Sequence, residues 1–223
     1  MTPDGGGAVP DWLGRITTAA ADLVVPPPLR PPADGGRPAA VLILFGEGTR
    51  GPDVLLIERA ADLRKHPGQP AFPGGAIDDA DGGPVGAALR EAAEETGLDP
   101  VGVRILAVMP ELYIPRSDFR VTPVLGWWHT PVAVAPGDPA EIAAVVRIPI
   151  ADLAAPANRF VIRYPGGESG YAFRVAGLTV WGFTALLLDR VLALAGWDQP
   201  WDSGRLTSLP ADELPPGWPP RRS

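Results

Sequence analysis

Three glutamates within five residues, Glu91, Glu94 and Glu95, are the side chains of this sequence best suited to chemistry. They fall in EAAEETG, an alanine-rich stretch that predicts a helix over 84–96, with Pro84 suited to its first turn and Gly97 placed for a left-handed cap. Leu89, Ala92, Ala93 and Thr96 recur at spacings of three and four, so they form the face expected to pack on a sheet. Glu91, Glu94 and Glu95 then lie together on the opposite side, where like charges repel. Glu94 and Glu95 also occupy the last turn, where the helix dipole disfavours anions. Each penalty is about 0.3–1 kcal/mol, and together they describe a helix end that favours a bound cation. Mg²⁺ or Mn²⁺ suits such oxygens and leaves positions open for phosphate. For this segment alone, a solvated acidic face is the plain alternative.

The residues just upstream change that balance. Gly74 and Gly75, in FPGGAIDD, can let bare backbone approach a metal or a phosphate. Arg90, beside Glu91, is placed to hold one carboxylate by a bidentate contact. Arg59, Arg64 and Lys65 form a basic cluster that could meet phosphate oxygens, with a solvated loop as the alternative reading. Phe72 either packs under the glycine turn or lines a pocket.

Composition narrows the classes. The chain has 223 residues, 46% of them apolar, which is enough for one substantial core. A net charge of -7 argues against broad binding to nucleic acid or anionic lipid. The absence of cysteine excludes disulfides, zinc-thiolate sites and cysteine nucleophiles. No run approaches the roughly 18 apolar residues of a membrane span, and the N-terminus lacks the pattern of a secretion signal. A cytoplasmic protein with a small-molecule substrate is expected, with a homodimer left open.

Elements that could position the acids follow from periodicity. Strands are expected at 40–45, 54–58, 105–112, 121–128 and 145–148, with shorter ones at 160–163 and 171–175. A second long helix is expected over 181–195 and an early one over 11–24. Strands flanked by well-separated helices predict an α/β fold, a mixed sheet sandwiched between helices. Three segments follow: a Pro/Gly-rich stretch 1–38 with its early helix, a domain over 39–197, and a Pro- and Trp-containing tail 198–223.

Arg90-Glu91-Ala92-Ala93-Glu94-Glu95-Thr96-Gly97-Leu98 resembles the second half of the Nudix hydrolase signature. In the first half, Asp81 stands where that family has a mid-loop glutamate, and one additional residue separates it from Arg90. The preceding LLIERAADLRKHPGQPAFPGG resembles the extra motif of the coenzyme A pyrophosphatase branch, with Arg64, Gly68, Phe72, Pro73, Gly74 and Gly75 in register. Ile57, Arg59 and Ala60 depart from the hydroxyl residues often found at its start. The resemblance implies an α/β/α sandwich that hydrolyses a diphosphate bond with Mg²⁺ or Mn²⁺. Glu91, Glu94 and Glu95 carry over as metal ligands, one doubling as base, with Arg90 orienting them. A main-chain carbonyl near Gly75 or Ala76 would complete the set, and Glu141 is the candidate fourth carboxylate, a plain surface glutamate being its alternative. Coenzyme A would give 3′,5′-ADP and 4′-phosphopantetheine. ADP-ribose, a dinucleotide or a nucleoside triphosphate is the alternative substrate, and a non-catalytic nucleotide-binding module is the alternative class.

Overall fold

A computed structural model of the protein describes residues 8–21, 23–63, 67–164, 167 and 169–207. In chain order its main elements are α1 (Gly14–Ala19), β1 (Arg37–Gly48), β2 (Gly51–Arg59), β3 (Pro70–Ala71), β4 (Gly74–Ala76), α2 (Pro84–Thr96), β5 (Val103–Val108), β6 (Leu112–Ile114), β7 (Phe119–Trp128), β8 (Ile142–Pro149), α3 (Ile150–Ala154), β9 (Arg159–Arg163), β10 (Ser169–Val175), β11 (Leu178–Val180), α4 (Gly182–Ala195) and β12 (Leu206–Thr207).

The main sheet runs β3-β2-β1-β7-β5, with β4 also on β1, β6 on β7 and β8 on β2. It is mixed: β1 and β7 run parallel, while β2, β4, β5, β6 and β8 pair antiparallel with their neighbours. Both faces of β1 are covered, which is why AAVLILF reads as an unbroken apolar run rather than an alternation. Alternate residues still choose sides. Ala40, Leu42 and Leu44 pack with Ala87, Ala88 and Ala92 of α2, while Ile43 and Phe45 pack with Leu13 and Ile16 near the N-terminus and Leu188, Val191 and Leu192 of α4. The result is the expected α/β/α sandwich. A smaller sheet, β11-β10-β9-β12, lies against α4.

Several expectations change in detail. The strand expected over 105–112 is two strands, β5 and β6, both paired with β7. Pro110, which has no N–H to give a ladder, falls at the break between them. The early helix expected over 11–24 is a 3-10 turn, Asp11–Leu13, followed only by α1. It is not set apart from the domain, since Leu13, Ile16 and Ala20 are fully buried and close one face of the sheet. In the segment read as a tail, β12 pairs with β9 and Trp201 stands over Arg159, while residues 208–223 lie outside the described residues. Among the described residues, no helix is long and apolar enough to cross a membrane.

Candidate functional site

The strands β1 and β2 pair only near their hairpin, from Phe45–Val54 to Gly48–Gly51. Beyond it they diverge, and residues 70–76 fill the fork. Pro70 and Ala71 pair with Glu58 and Ile57, Gly74–Ala76 pairs with Ala39, Ala40 and Val41, and the Leu42 N–H donates to the Pro73 carbonyl at 2.8 Å. This wedge sets the glycine pair against α2.

The helix α2 has the expected limits, opened by Pro84 and stopped by Gly97 in the left-handed conformation. Its buried stripe is Ala87, Ala88, Ala92 and Thr96, with Leu89 and Ala93 only partly covered. That is a rotation from the expected Leu89-Ala92-Ala93-Thr96 face, and it has a consequence for the acids. Glu95 lies two turns beyond Ala88, so it turns inward and is only 9% exposed, whereas Glu94 stays in solvent. The three carboxylates therefore do not share one solvated side. Glu91 and Glu95 face the glycine wedge.

Both glycines are needed by the protein itself. A Cβ at Gly74 would collide with the Ala40 carbonyl oxygen, and one at Gly75 would lie 2.5 Å from the carboxyl carbon of Glu91. The first collision is backbone on backbone, and the second meets the end of a movable side chain. Gly74→Ala should accordingly destabilise the fold by about 1–3 kcal/mol. Gly75→Ala should unfold near the wild-type urea midpoint while displacing Glu91 and lowering turnover about tenfold. Equal effects of the two variants on both readouts would contradict this division.

The Gly74 N–H donates to Glu95 Oε2 at 3.0 Å, and Arg59 Nη1 lies 4.0 Å from Glu95 Oε1. Burial pushes the Glu95 carboxyl from the ordinary 4.5 up to about 7; the charges of Glu91 and Glu141 add to this, and the Gly74 N–H and Arg59 oppose it. The Glu91 carboxyl is also raised, again chiefly by burial, with Arg90 opposing. The native state thus holds the Glu95 proton in a pH range where the unfolded chain has released it. Stability should fall as pH rises from about 4.5 to about 7, by up to about 3 kcal/mol from this group. Urea unfolding at pH 5 and pH 8 should show a smaller loss in Glu95→Gln than in the wild type. An identical loss in both would exclude Glu95 as its source.

Arg90 is the hub of the remaining acids. Its Nε and Nη2 donate to the two Asp81 oxygens at 2.7 and 3.1 Å, Nη2 also to the Ala76 carbonyl at 3.1 Å, and Nη1 to Glu91 at 2.9 Å and Glu94 at 3.2 Å. Asp81 was not among the expected site residues, yet it is the anchor of that hub, and Arg90 lowers its pKa. The signal was present as a mid-loop acid. Its shorter side chain and displaced spacing are accommodated by the 3-10 turn Asp79–Asp81 and by Gly82 and Gly83, both at positive φ.

The other expected residues distribute as follows. Glu141 is exposed, but it precedes β8 and its main-chain carbonyl accepts from the Ala60 N–H at 2.8 Å, which puts its charge within influence of Glu95. The Ala76 carbonyl is engaged by Arg90. Phe72 is buried in the main core rather than lining a cleft, and Gly68 belongs to the turn that returns to Ala60. Arg59 of the expected basic cluster reaches toward Glu95, while Arg64 and Lys65 lie outside the described residues.

Among the described residues, no three carboxylate or imidazole groups already converge as a closed metal cage. A hydrated divalent ion does not need one, since Mg²⁺ commonly binds through one or two carboxylates and keeps its waters. Glu95, buried with Oε2 held by the Gly74 N–H, and Glu91, whose carboxyl lies against Gly75, supply the two carboxylates that such an ion needs.

The sequence pattern that defines the NUDIX domain matches residues 35–164. A protein of Pectobacterium atrosepticum named "Uncharacterized Nudix hydrolase NudL" is 36% identical over 197 residues, covering 86% of this chain and 97% of that protein. A protein of the same name from Salmonella paratyphi B is 38% identical over 167 residues, covering 71% of this chain and 82% of its own length. Among solved structures, the Nudix hydrolase RenU of M. smegmatis is similar at 27% identity with a TM-score of 0.45, over 54% of this chain and 75% of that one.

Proposed function

Because the chain belongs to the Nudix hydrolase family, with a domain match over residues 35–164, we propose that it cleaves the diphosphate bond of coenzyme A or of a coenzyme A derivative. The products are 3′,5′-ADP and 4′-phosphopantetheine or its acylated form. The observation that carries the hydrolytic reading is the burial of Glu95 against the Gly74 N–H, beside Glu91. The motif over residues 55–75, with Arg64, Gly68, Phe72, Pro73, Gly74 and Gly75 in register, supports the choice of substrate.

Glu91, Glu94 and Glu95 would hold a divalent cation, Mg²⁺ or Mn²⁺, with Glu141 and the Ala76 carbonyl completing the set. Bound there, the cation would neutralise charge on the diphosphate oxygens and lower the pKa of a water. Arg90, braced by Asp81, keeps Glu91 and Glu94 in fixed orientations. Gly74 and Gly75 bring Glu95 and Glu91 onto one patch of backbone. In the chemical step the water oxygen bonds to one phosphorus, the bridging P–O bond breaks, and one of the glutamates takes the water's proton. Arg59, Arg64 and Lys65 would supply positive charge for the phosphate oxygens, with Gly68 in the same loop.

The test is incubation with coenzyme A, acetyl-coenzyme A, ADP-ribose and NADH in Mg²⁺ or Mn²⁺, with products identified by mass. Release of 3′,5′-ADP from coenzyme A is expected. Preferential cleavage of ADP-ribose or a dinucleotide would replace the substrate, and binding without any product would make the chain a nucleotide-holding module.

A further inference from the structure

We propose that residues 131–141 form a strap that sets Glu141 against the Glu95 end of α2, with Asp138 as its positioning residue; this rests on the divalent-cation reading above. The last carbonyls of a helix have no partner within it. Here two of them are taken by the strap, as the Ala135 N–H donates to the Thr96 carbonyl and the Gly137 N–H to the Glu95 carbonyl, each at 3.0 Å. A Cβ at Gly137 would collide with the Glu94 carbonyl oxygen, so glycine alone allows the strap to seat on the turn that carries Glu94 and Glu95.

Asp138 then turns the chain into β8. Its Oδ1 accepts from the Ala140 N–H at 2.9 Å, and its carbonyl accepts from Glu141 at 3.0 Å and Ile142 at 2.8 Å. The far end is fixed to β2, where the Ala60 N–H donates to the Glu141 carbonyl. Pairing of β2 with β8 slips between Glu58 and Arg59, a bulge of the kind that re-aims side chains. Arg59, the neighbour of the Ala60 that holds the Glu141 carbonyl, comes within 4.0 Å of Glu95 Oε1. An exposed glutamate on a free loop would lose chain and rotamer entropy on engaging a cation, and the two-ended strap removes most of that loss in advance.

The test is Mn²⁺ binding to the full chain without nucleotide, followed by the electron paramagnetic signal of free Mn²⁺. One hydrogen bond of this kind is worth about 1 kcal/mol, or roughly fivefold in affinity. Asp138→Ala should raise the Kd for Mn²⁺ by about that factor, and Asp138→Asn, which keeps the acceptor oxygen, should restore it. Adding Asp138→Ala to Glu141→Gln should cost nothing further, because both act through one carboxylate. Wild-type affinity in Asp138→Ala, or full additivity in the double variant, would overturn the strap. Unchanged affinity in Glu141→Gln beside a clear loss in Glu95→Gln would overturn it while leaving the cation reading intact. Unchanged affinity in Glu95→Gln would remove both.

Discussion

Glu95→Gln should lower turnover of a nucleotide-linked diphosphate by at least ~10²-fold, the scale on which a major electrostatic contributor acts. The substitution keeps the side chain's shape, and its amide oxygen can still accept from the Gly74 N–H that now meets Glu95 Oε2 at 3.0 Å. What disappears is the negative charge. That charge is held in a buried position, where its carboxyl is pushed up to about 7, so the neutral variant should be at least as stable as the wild type above that pH. Loss of activity without loss of stability is the signature of a residue kept for chemistry rather than folding. Steady-state kinetics across a Mn²⁺ series, paired with urea unfolding at pH 8, reads both quantities. Near-normal turnover at saturating metal would refute the role given to Glu95.

Asp189→Ala should destabilise the protein by about 3–5 kcal/mol, through a different part of the fold. Arg159 of β9 is 2% exposed, and its Nη2 donates to Asp189 of α4 in a short contact. Its Nε and Nη1 have no hydrogen-bond partner among the described residues. The guanidinium lies over the rings of Phe173 and Trp201, 5.4 and 4.8 Å away, which offer attraction but no acceptor. Removing the one carboxylate would leave a buried cation without its counter-charge. Burial also raises the Asp189 carboxyl, with Arg159 opposing. Replacing both partners by apolar residues, as in Arg159→Met with Asp189→Leu, should recover most of the loss. A urea midpoint for Asp189→Ala equal to the wild type would show that the pair carries no such load. Because the lesion lies in the small sheet, activity of the folded fraction should be largely kept.

Much of the site could be read from residue order because its central unit is local. Pro84, Arg90, Glu91, Glu94, Glu95 and Gly97 all lie on or next to one helix. Helical spacing alone places such residues, and the start and stop signals act over a single turn. The strands of the central sheet were legible for a related reason, since AAVLILF and its neighbours need burial wherever they are placed. The division of 103–114 into β5 and β6 depended on β7, which pairs with both across a proline break.

By itself, the order of amino acids determined the sandwich class, the helix that bears the acids, and the glycine pair beside it, because those depend on interactions within a few residues. Only the tertiary structure decided that Glu95 turns inward and Glu94 outward, since the rotation of α2 is chosen by which alanines fit against Ala40 and Leu42. It also decided that Asp81 anchors Arg90, that Arg59 reaches toward Glu95, and that Ala135 and Gly137 bond to the carbonyls of Thr96 and Glu95. Each of those contacts joins residues far apart in the chain or around a turn of special backbone, and periodicity holds no record of a meeting made by folding.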